Sequence, residues 1–178
     1  MKKETIKTKI ATFAGGCFWC MEAAFEELPG VIEADSGYAG GKEKNPTYAK
    51  VCTGKTGHHE TIQIHYDPQK ISYQELLDFF WKQIDPTDDT GQFADKGSEY
   101  TTAIFYRTAE EKKLAEQSKK ELEKSGKFQK PIVTKILPFK NFYKAEEEHQ
   151  GFYKKNKLRY KIYEMGSGRK QFKKKVWG

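Results

Sequence analysis

The chain has 178 residues, 37% hydrophobic, 14% aromatic and 32% charged, with a formal net charge of +7 and three cysteines. That length suits one domain, since chains split into several only beyond ~250 residues, and the aromatic share supplies a core, which excludes a disordered chain. No apolar run approaches the ~18–20 residues that span a bilayer, residues 1–4 do not open a signal peptide, and so few cysteines exclude a secreted disulfide framework, so a cytoplasmic chain is expected.

A strand is predicted over 8–14, rich in β-formers and ending at Gly15–Gly16. A helix over 17–28 aligns Phe18, Met21, Phe25 and Leu28 on one stripe and stops at Pro29–Gly30. The second strand, over 31–38, runs into Ala39-Gly40-Gly41, which opens a long loop reaching Gly57. The third alternates, with Ile62, Ile64 and Tyr66 on one face and Gln63 and His65 on the other. Ser72 with Glu75 forms a capping box for a helix carrying Leu76, Leu77, Phe80 and Ile84. After a loop rich in Asp and Gly over 85–99 comes a strand over 100–107. Thr108 and Glu111 then make a second capping box for a polar helix ending near Gly126, and a last strand covers 132–137.

The order β-α-β-β-α-β with an added α-β unit predicts an α+β fold: a two-layer α/β sandwich with a ferredoxin-like, split β-α-β core. An irregular, charged C-terminal extension follows, and residues 1–178 are expected to form a single domain. Residues 154–178 hold 10 basic residues and one acidic residue, a charge of +9, so the other 153 residues sum to −2. With Tyr160, Tyr163, Phe172 and Trp177 interleaved, this segment has the composition of a phosphate- or acid-binding tail. Since the rest of the chain has no basic face, a surface segment whose aromatics pack back onto the body is the preferred reading.

The strongest chemical signal is Gly15-Gly16-Cys17-Phe18-Trp19-Cys20 at a strand-to-helix junction. A thiol in the first turn faces unpaired backbone N–H groups and the positive end of the dipole, so its pKa is expected below the free value of ~8.5. Cys17 and Cys20 are helical neighbours that a small adjustment would let bond; the alternative is a pair of small buried hydrophobes. Zinc would need two more ligands, for which Cys52, His58 and His59 are the candidates. No second CxxC or spaced His pair exists, so no metal is expected and Cys52 reads as a buried structural thiol. Glu60 starts a strand beside a glycine-rich loop, where partial burial would keep it protonated, and Tyr48 offers a phenolic donor. Asp95-Lys96-Gly97-Ser98-Glu99-Tyr100 places another Tyr at the head of a strand. Sequence order alone does not bring these strand ends together.

Taken together, Gly-Gly-Cys17-Phe-Trp-Cys, Asn45-Pro46-Thr47-Tyr48, Val51-Cys52, Thr56-Gly57-His58 with Glu60, Tyr66-Asp67-Pro68 and Asp95-Lys96-Gly97 with Tyr100 closely resemble the peptide methionine sulfoxide reductase A family. The resemblance runs from Ile10 to beyond Glu148-His149-Gln150, and in some family branches through Gly166-Ser167-Gly168-Arg169. It implies Cys17 as nucleophile, Glu60 as the acid that activates the sulfoxide, and Tyr48 and Tyr100 as hydroxyl donors. It further implies that Asp95 lines the pocket and that Phe18 and Trp19 receive the methyl group of the substrate. The implied reaction returns the S epimer of methionine sulfoxide, free or in proteins, to methionine and leaves Cys17 as a sulfenic acid. No metal, flavin or nucleotide cofactor is implied; thioredoxin is the implied reductant and a monomer is expected.

The chain departs from many members, which carry Gly where Cys20 stands and recycle through cysteines near the C-terminus. None follows Cys52 here, so Cys20 is the expected resolving thiol, with Cys52 the alternative. A thioredoxin-like dithiol oxidoreductase is the competing enzyme reading, but it leaves Gly15–Gly16, Tyr48 and Glu60 without a role. A nucleic-acid-binding domain is the non-enzymatic one, and RNP-like aromatics are absent. Neither a nucleic acid nor a membrane partner is expected.

Overall fold

The computed structural model describes residues 5–178; residues 1–4, where the sequence offers no signal peptide, lie outside the described residues. In chain order the elements are β1 (Lys9–Ala14), α1 (Phe18–Glu26), β2 (Val31–Ala39), α2 (Tyr48–Val51), β3 (His59–Tyr66) and α3 (Tyr73–Gln83). A two-stranded ribbon follows, β4 (Gly91–Gln92) with β5 (Asp95–Lys96), then β6 (Ala103–Tyr106), α4 (Ala109–Lys124), β7 (Lys135–Pro138) and β8 (Tyr143–Lys144). Three helices end the chain: α5 (Phe152–Lys155), α6 (Lys157–Ser167) and α7 (Arg169–Trp177). Six strands form one mixed sheet in the order β7-β6-β1-β3-β2-β8, antiparallel except for the parallel β6–β7 pair. The protein is therefore α+β.

Period-two alternation decides which face each strand residue takes. Phe13 turns toward the helices and meets the rings of Phe25, Tyr73 and Phe80 at 5.9, 6.0 and 4.9 Å, in one cluster with Ile62, Ile64 and Ile104. Its neighbour Ala14 turns the other way, into a smaller cluster with Ala39, Ala103 and Phe105 covered by Leu137, Phe139 and Phe142. Each large side chain buried in this way contributes ~1.5–3 kcal/mol, so truncating Phe13 at the junction of α1 and α3 would cost more than any surface change.

The capping signals at Ser72 and Thr108 are realised to different extents. Ser72 accepts the Glu75 N–H at 3.1 Å and returns its own N–H to Glu75 Oε2 at 2.7 Å, a complete box. Thr108 accepts the Glu111 N–H at 3.1 Å, but the Glu111 carboxylate takes the Arg107 N–H at 2.7 Å, one residue early, so only half of that box forms.

Two expectations need correction. The long loop after β2 is interrupted by α2, whose N-cap Thr47 accepts the Lys50 N–H at 3.3 Å. The C-terminal extension is not irregular: α5, α6 and α7 follow one another with breaks only at Asn156 and Gly168. Its high Lys content hides a helical period in which Tyr160 and Tyr163 are half-buried while Leu158, Ile162 and Met165 are exposed. The aromatics do pack back onto the body, as Phe172 against Phe93 at 5.4 Å. Among the described residues no helix is long and apolar enough to cross a membrane.

Candidate active site

Antiparallel pairing solves the problem that sequence order left open. Phe13 pairs with Ile62 and Ala14 with Ala103, so the C-terminal end of β1 lies beside the N-terminal ends of β3 and β6. Cys17, Glu60 and Tyr100 therefore converge at one end of the central strands of the sheet. Between β1 and α1 the chain turns at Gly16, whose φ of +83° suits glycine; a Cβ there would stand 2.6 Å from Gln92 Cβ. That turn delivers Cys17 as the N-cap of α1.

The first free N–H of α1 does not serve the sulfur. Phe18 N–H donates to Glu60 Oε1 at 3.2 Å, and Cys17 makes no side-chain capping bond. This reverses the expected direction of the Cys17 pKa. Burial pushes the Cys17 thiol well above its ordinary value, reinforced by the S–H bond to Cys20 and by Glu60. Cys20 is pulled down to about 7, chiefly by the Cys17 hydrogen bond, with the Arg169 guanidinium adding to it. The pair thus loses its first proton from Cys20. Both thiols are free and buried.

Glu60 is 2% exposed, and burial raises its carboxyl to about 8 against the hydrogen bonds from Phe18 and Tyr100. It is neutral at pH 7. Burial lifts the Tyr48 and Tyr100 phenols far above their ordinary value, with the charge of Glu60 adding in the same direction, so both remain donors. Cys52 is exposed rather than buried: α2 turns it outward beside the Tyr48 and Tyr100 hydroxyls. The Cys17 sulfur faces Cys20, Glu60 and Tyr163.

Phe18 is buried between Tyr38 at 5.9 Å, Tyr48 at 6.4 Å and His149 at 5.4 Å. Trp19 stacks on Phe152 at 3.9 Å and donates its indole N–H to His149 Nδ1 at 3.1 Å. Trp19, Tyr48, His149, Phe152 and Arg159 line a cleft of about 380 Å³. Asp95 accepts the Tyr163 hydroxyl, which also reaches Cys17. Sequence reasoning gave Tyr160, Tyr163 and Arg169 no role at the active site; the Tyr-x-x-Tyr spacing, about one helical turn, is the signal that could have found the first two.

Metal ligation finds little footing here. Among the described residues, Glu146, Glu148 and His149 hold ligand atoms within 4.8 Å of one another. Because His149 Nδ1 accepts the Trp19 proton, Nε2 keeps its hydrogen and offers no lone pair. Both Glu146 oxygens are engaged, by Tyr38 at 2.9 Å and the Tyr48 N–H at 3.0 Å. His58 and His59, the candidate zinc ligands, instead tie down Gly41 and Thr101 at 3.0 Å each.

A buried thiol pair facing a neutral carboxyl and two phenols, at one end of the central strands of an α+β sheet, defines a thiol-based oxidoreductase. The family model described as peptide methionine sulfoxide reductase matches residues 9–178, and the chain belongs to that family. It is 56% identical over 171 residues to the peptide methionine sulfoxide reductase MsrA of Bacillus pumilus, covering 96% of each chain. Its fold matches the reduced crystal form of Mxr1 from Saccharomyces cerevisiae with a TM-score of 0.80 at 34% identity, covering 86% of this chain and 88% of that one. Mxr1 in complex with Trx2 matches with a TM-score of 0.58 at 27% identity, over 85% and 89% of the two chains.

Proposed function

We propose that this protein reduces methionine S-sulfoxide, free or in oxidised proteins, through Cys17, and is recycled by thioredoxin through a Cys17–Cys20 disulfide. The observation that carries the reading is Glu60: a carboxyl held neutral by burial, hydrogen-bonded to Phe18 N–H, one residue from the candidate nucleophile. As a substrate binds, Cys17 passes its proton along the S–H bond to the Cys20 thiolate and attacks the sulfoxide sulfur. The S–O electron pair moves onto oxygen, which Glu60 protonates while Tyr48 and Tyr100 donate hydrogen bonds. The hydroxyl ends on Cys17 as a sulfenic acid, methionine leaves, and two electrons have passed from the Cys17 sulfur to the substrate. Phe18 and Trp19 hold the methyl group on one side while the acid and phenols hold the oxygen on the other, which selects one epimer. Asp95 fixes Tyr163 at the rim.

The names of its relatives support this substrate, and the Trx2 complex of a structural neighbour supports thioredoxin as reductant. We read the whole chain as one catalytic domain in a reducing cytoplasm, its basic segment serving the redox site rather than a nucleic acid. The strand order β6-β1-β3-β2 of the antiparallel core, with helices between its strands, supports the ferredoxin-like description. The test is incubation of the reduced protein with resolved sulfoxide epimers: loss of the S epimer is expected, and loss of the R epimer alone refutes the reading.

A further inference from the structure

We propose that Arg169 is a positioning residue for the recycling half of this reaction: its guanidinium, clamped beneath the Gly15–Gly16 turn, holds the Cys20 sulfur as the nucleophile that attacks oxidised Cys17. The inference rests on Cys20 being the resolving thiol. Arg169 opens α7, is 6% exposed and reaches across three elements. Nη1 donates to the Gln83 carbonyl at the C-terminal end of α3 at 2.7 Å, and Nη2 donates to the Gly15 carbonyl at 3.1 Å. Nη1 also contacts Met21 Sδ of α1 at 3.6 Å. A Cβ at Gly16 would lie 3.1 Å from Nη2, so the second glycine of the turn makes room for this guanidinium.

One buried donor is left over. Nε of Arg169 has no hydrogen-bond partner. A buried charged donor left unmatched is costly, and an anion close by offsets that cost. Cys20 lines the same cleft of about 380 Å³ as Arg169, with Tyr160 and Lys173. The charged and titratable groups facing Cys20 are Cys17, Arg169, Tyr160, Tyr163, Asp95 and Lys173. Arg169, Lys170 and Lys173 are the cations of that cleft and Glu27 and Glu164 its carboxylates; Lys170 is paired with Glu164 at 3.0 Å. Lys173 is itself lowered by burial and donates to Gln83 Oε1 at 2.7 Å, which leaves Arg169 as the fixed charge.

In the step served, the Cys20 thiolate attacks the sulfenic sulfur of Cys17. An S–S bond forms and the S–O bond breaks; the hydroxide takes a proton and leaves as water. The Cys17 sulfur is reduced and the Cys20 sulfur oxidised.

The test compares the full-length wild type with Arg169→Met and Arg169→Lys. Iodoacetamide labelling of reduced protein across pH, read by peptide mass, gives the Cys20 midpoint: about 7 in the wild type, higher in the Met variant, which keeps the Cys17 hydrogen bond but loses the guanidinium, and held low in the Lys variant. Stopped-flow Trp fluorescence after one equivalent of methionine sulfoxide follows disulfide formation. For each unit the midpoint rises from about 7, the Met variant at neutral pH loses roughly 5-fold or more in thiolate, and the greater nucleophilicity of a more basic thiolate returns ~2.5–3-fold, so a one-unit rise leaves it about 2-fold slower. Above the shifted midpoint the Met variant matches or overtakes the wild type, whereas a merely structural lesion slows it at every pH. Should Arg169→Met fail to accumulate, Arg169→Gln takes its place. An unmoved Cys20 midpoint in the neutral variant overturns the role of Arg169. A Cys17–Cys52 link in oxidised wild type, whatever the midpoints, overturns Cys20 as resolver.

Discussion

Replacing Glu60 with Gln separates proton delivery from hydrogen bonding at the sulfoxide oxygen. In the wild type the competent state needs Cys20 ionised, at about 7, and Glu60 protonated, up to about 8. The first-turnover rate should therefore rise through about 7, peak near the middle of that narrow window and fall through about 8. With limbs so close, the rate drops about six-fold between the peak and one pH unit above the Glu60 midpoint, then about ten-fold per unit. Gln keeps an N–H donor but has no proton to release, so Glu60→Gln should be ~10²–10⁴-fold slower at the peak. It should also lose the alkaline limb. The assay is a single turnover with reduced enzyme in excess, quenched and read as methionine by chromatography, which makes the result independent of recycling. A Glu60→Gln enzyme that keeps the descending limb, or a wild type whose rate climbs steadily through that limb, would refute the assignment of Glu60 as the acid.

Cys20→Ser should still yield one equivalent of methionine, more slowly, and lose thioredoxin-driven turnover, while Cys52→Ser keeps both; peptide mapping and a coupled thioredoxin assay check this. Gly16→Ala forces φ of +83° on a Cβ that also meets Gln92, so stability should fall by at least ~1–2 kcal/mol, a melting shift of ~2–8 °C in thermal unfolding. Glu22 is raised by burial from 4.5 to about 7 while accepting Ser36 Oγ–H at 2.8 Å and Gly151 N–H at 2.7 Å. A carboxyl whose folded-state pKa lies above its unfolded value stabilises most at low pH and loses that contribution as pH rises through the folded value. The melting temperature of the wild type relative to Glu22→Gln should accordingly decline between about 4.5 and about 7, and a difference that grows across that window would contradict the burial argument.

Much of the scaffold was legible because its signals are local. The Ser72–Glu75 box, the alternation of β3 and the glycine turn before Cys17 each depend on a few neighbouring residues. What escaped depends on distant ones. The thiol pKa reasoning treated the first turn of α1 as free, whereas β3 brings Glu60 to take the Phe18 N–H. Cys52 read as buried, but in α2 Val51 and Tyr48 are the residues that meet the core, and the turn of the helix sends Cys52 outward. The helices of the C-terminal segment were masked by lysines on their solvent side, where helical period carries no hydrophobic contrast. Tyr163 has no motif around it, and Gly166-Ser167-Gly168-Arg169 marks a resemblance without saying what Arg169 touches; their relation to Cys17 and Cys20 exists only once the sheet is closed.

The order in which the chain emerges during synthesis gives the α6–α7 segment a temporal role. Cys17 and Cys20 leave the ribosome early, and β3, which carries Glu60, and β6, which follows Tyr100, can pair with β1 as soon as β6 is out, since domains fold from the N-terminal side during synthesis. Tyr160, Tyr163 and Arg169 arrive only after every strand of the sheet has been made. Until then Cys17 lacks the Tyr163 hydroxyl, and Cys20 lacks Tyr160 and the guanidinium that adds to its ionisation. A growing chain at this stage carries reactive sulfur in an unfinished site, open to adventitious oxidation yet unable to recycle. A translation pause at any point after the strands have emerged would lengthen that exposure.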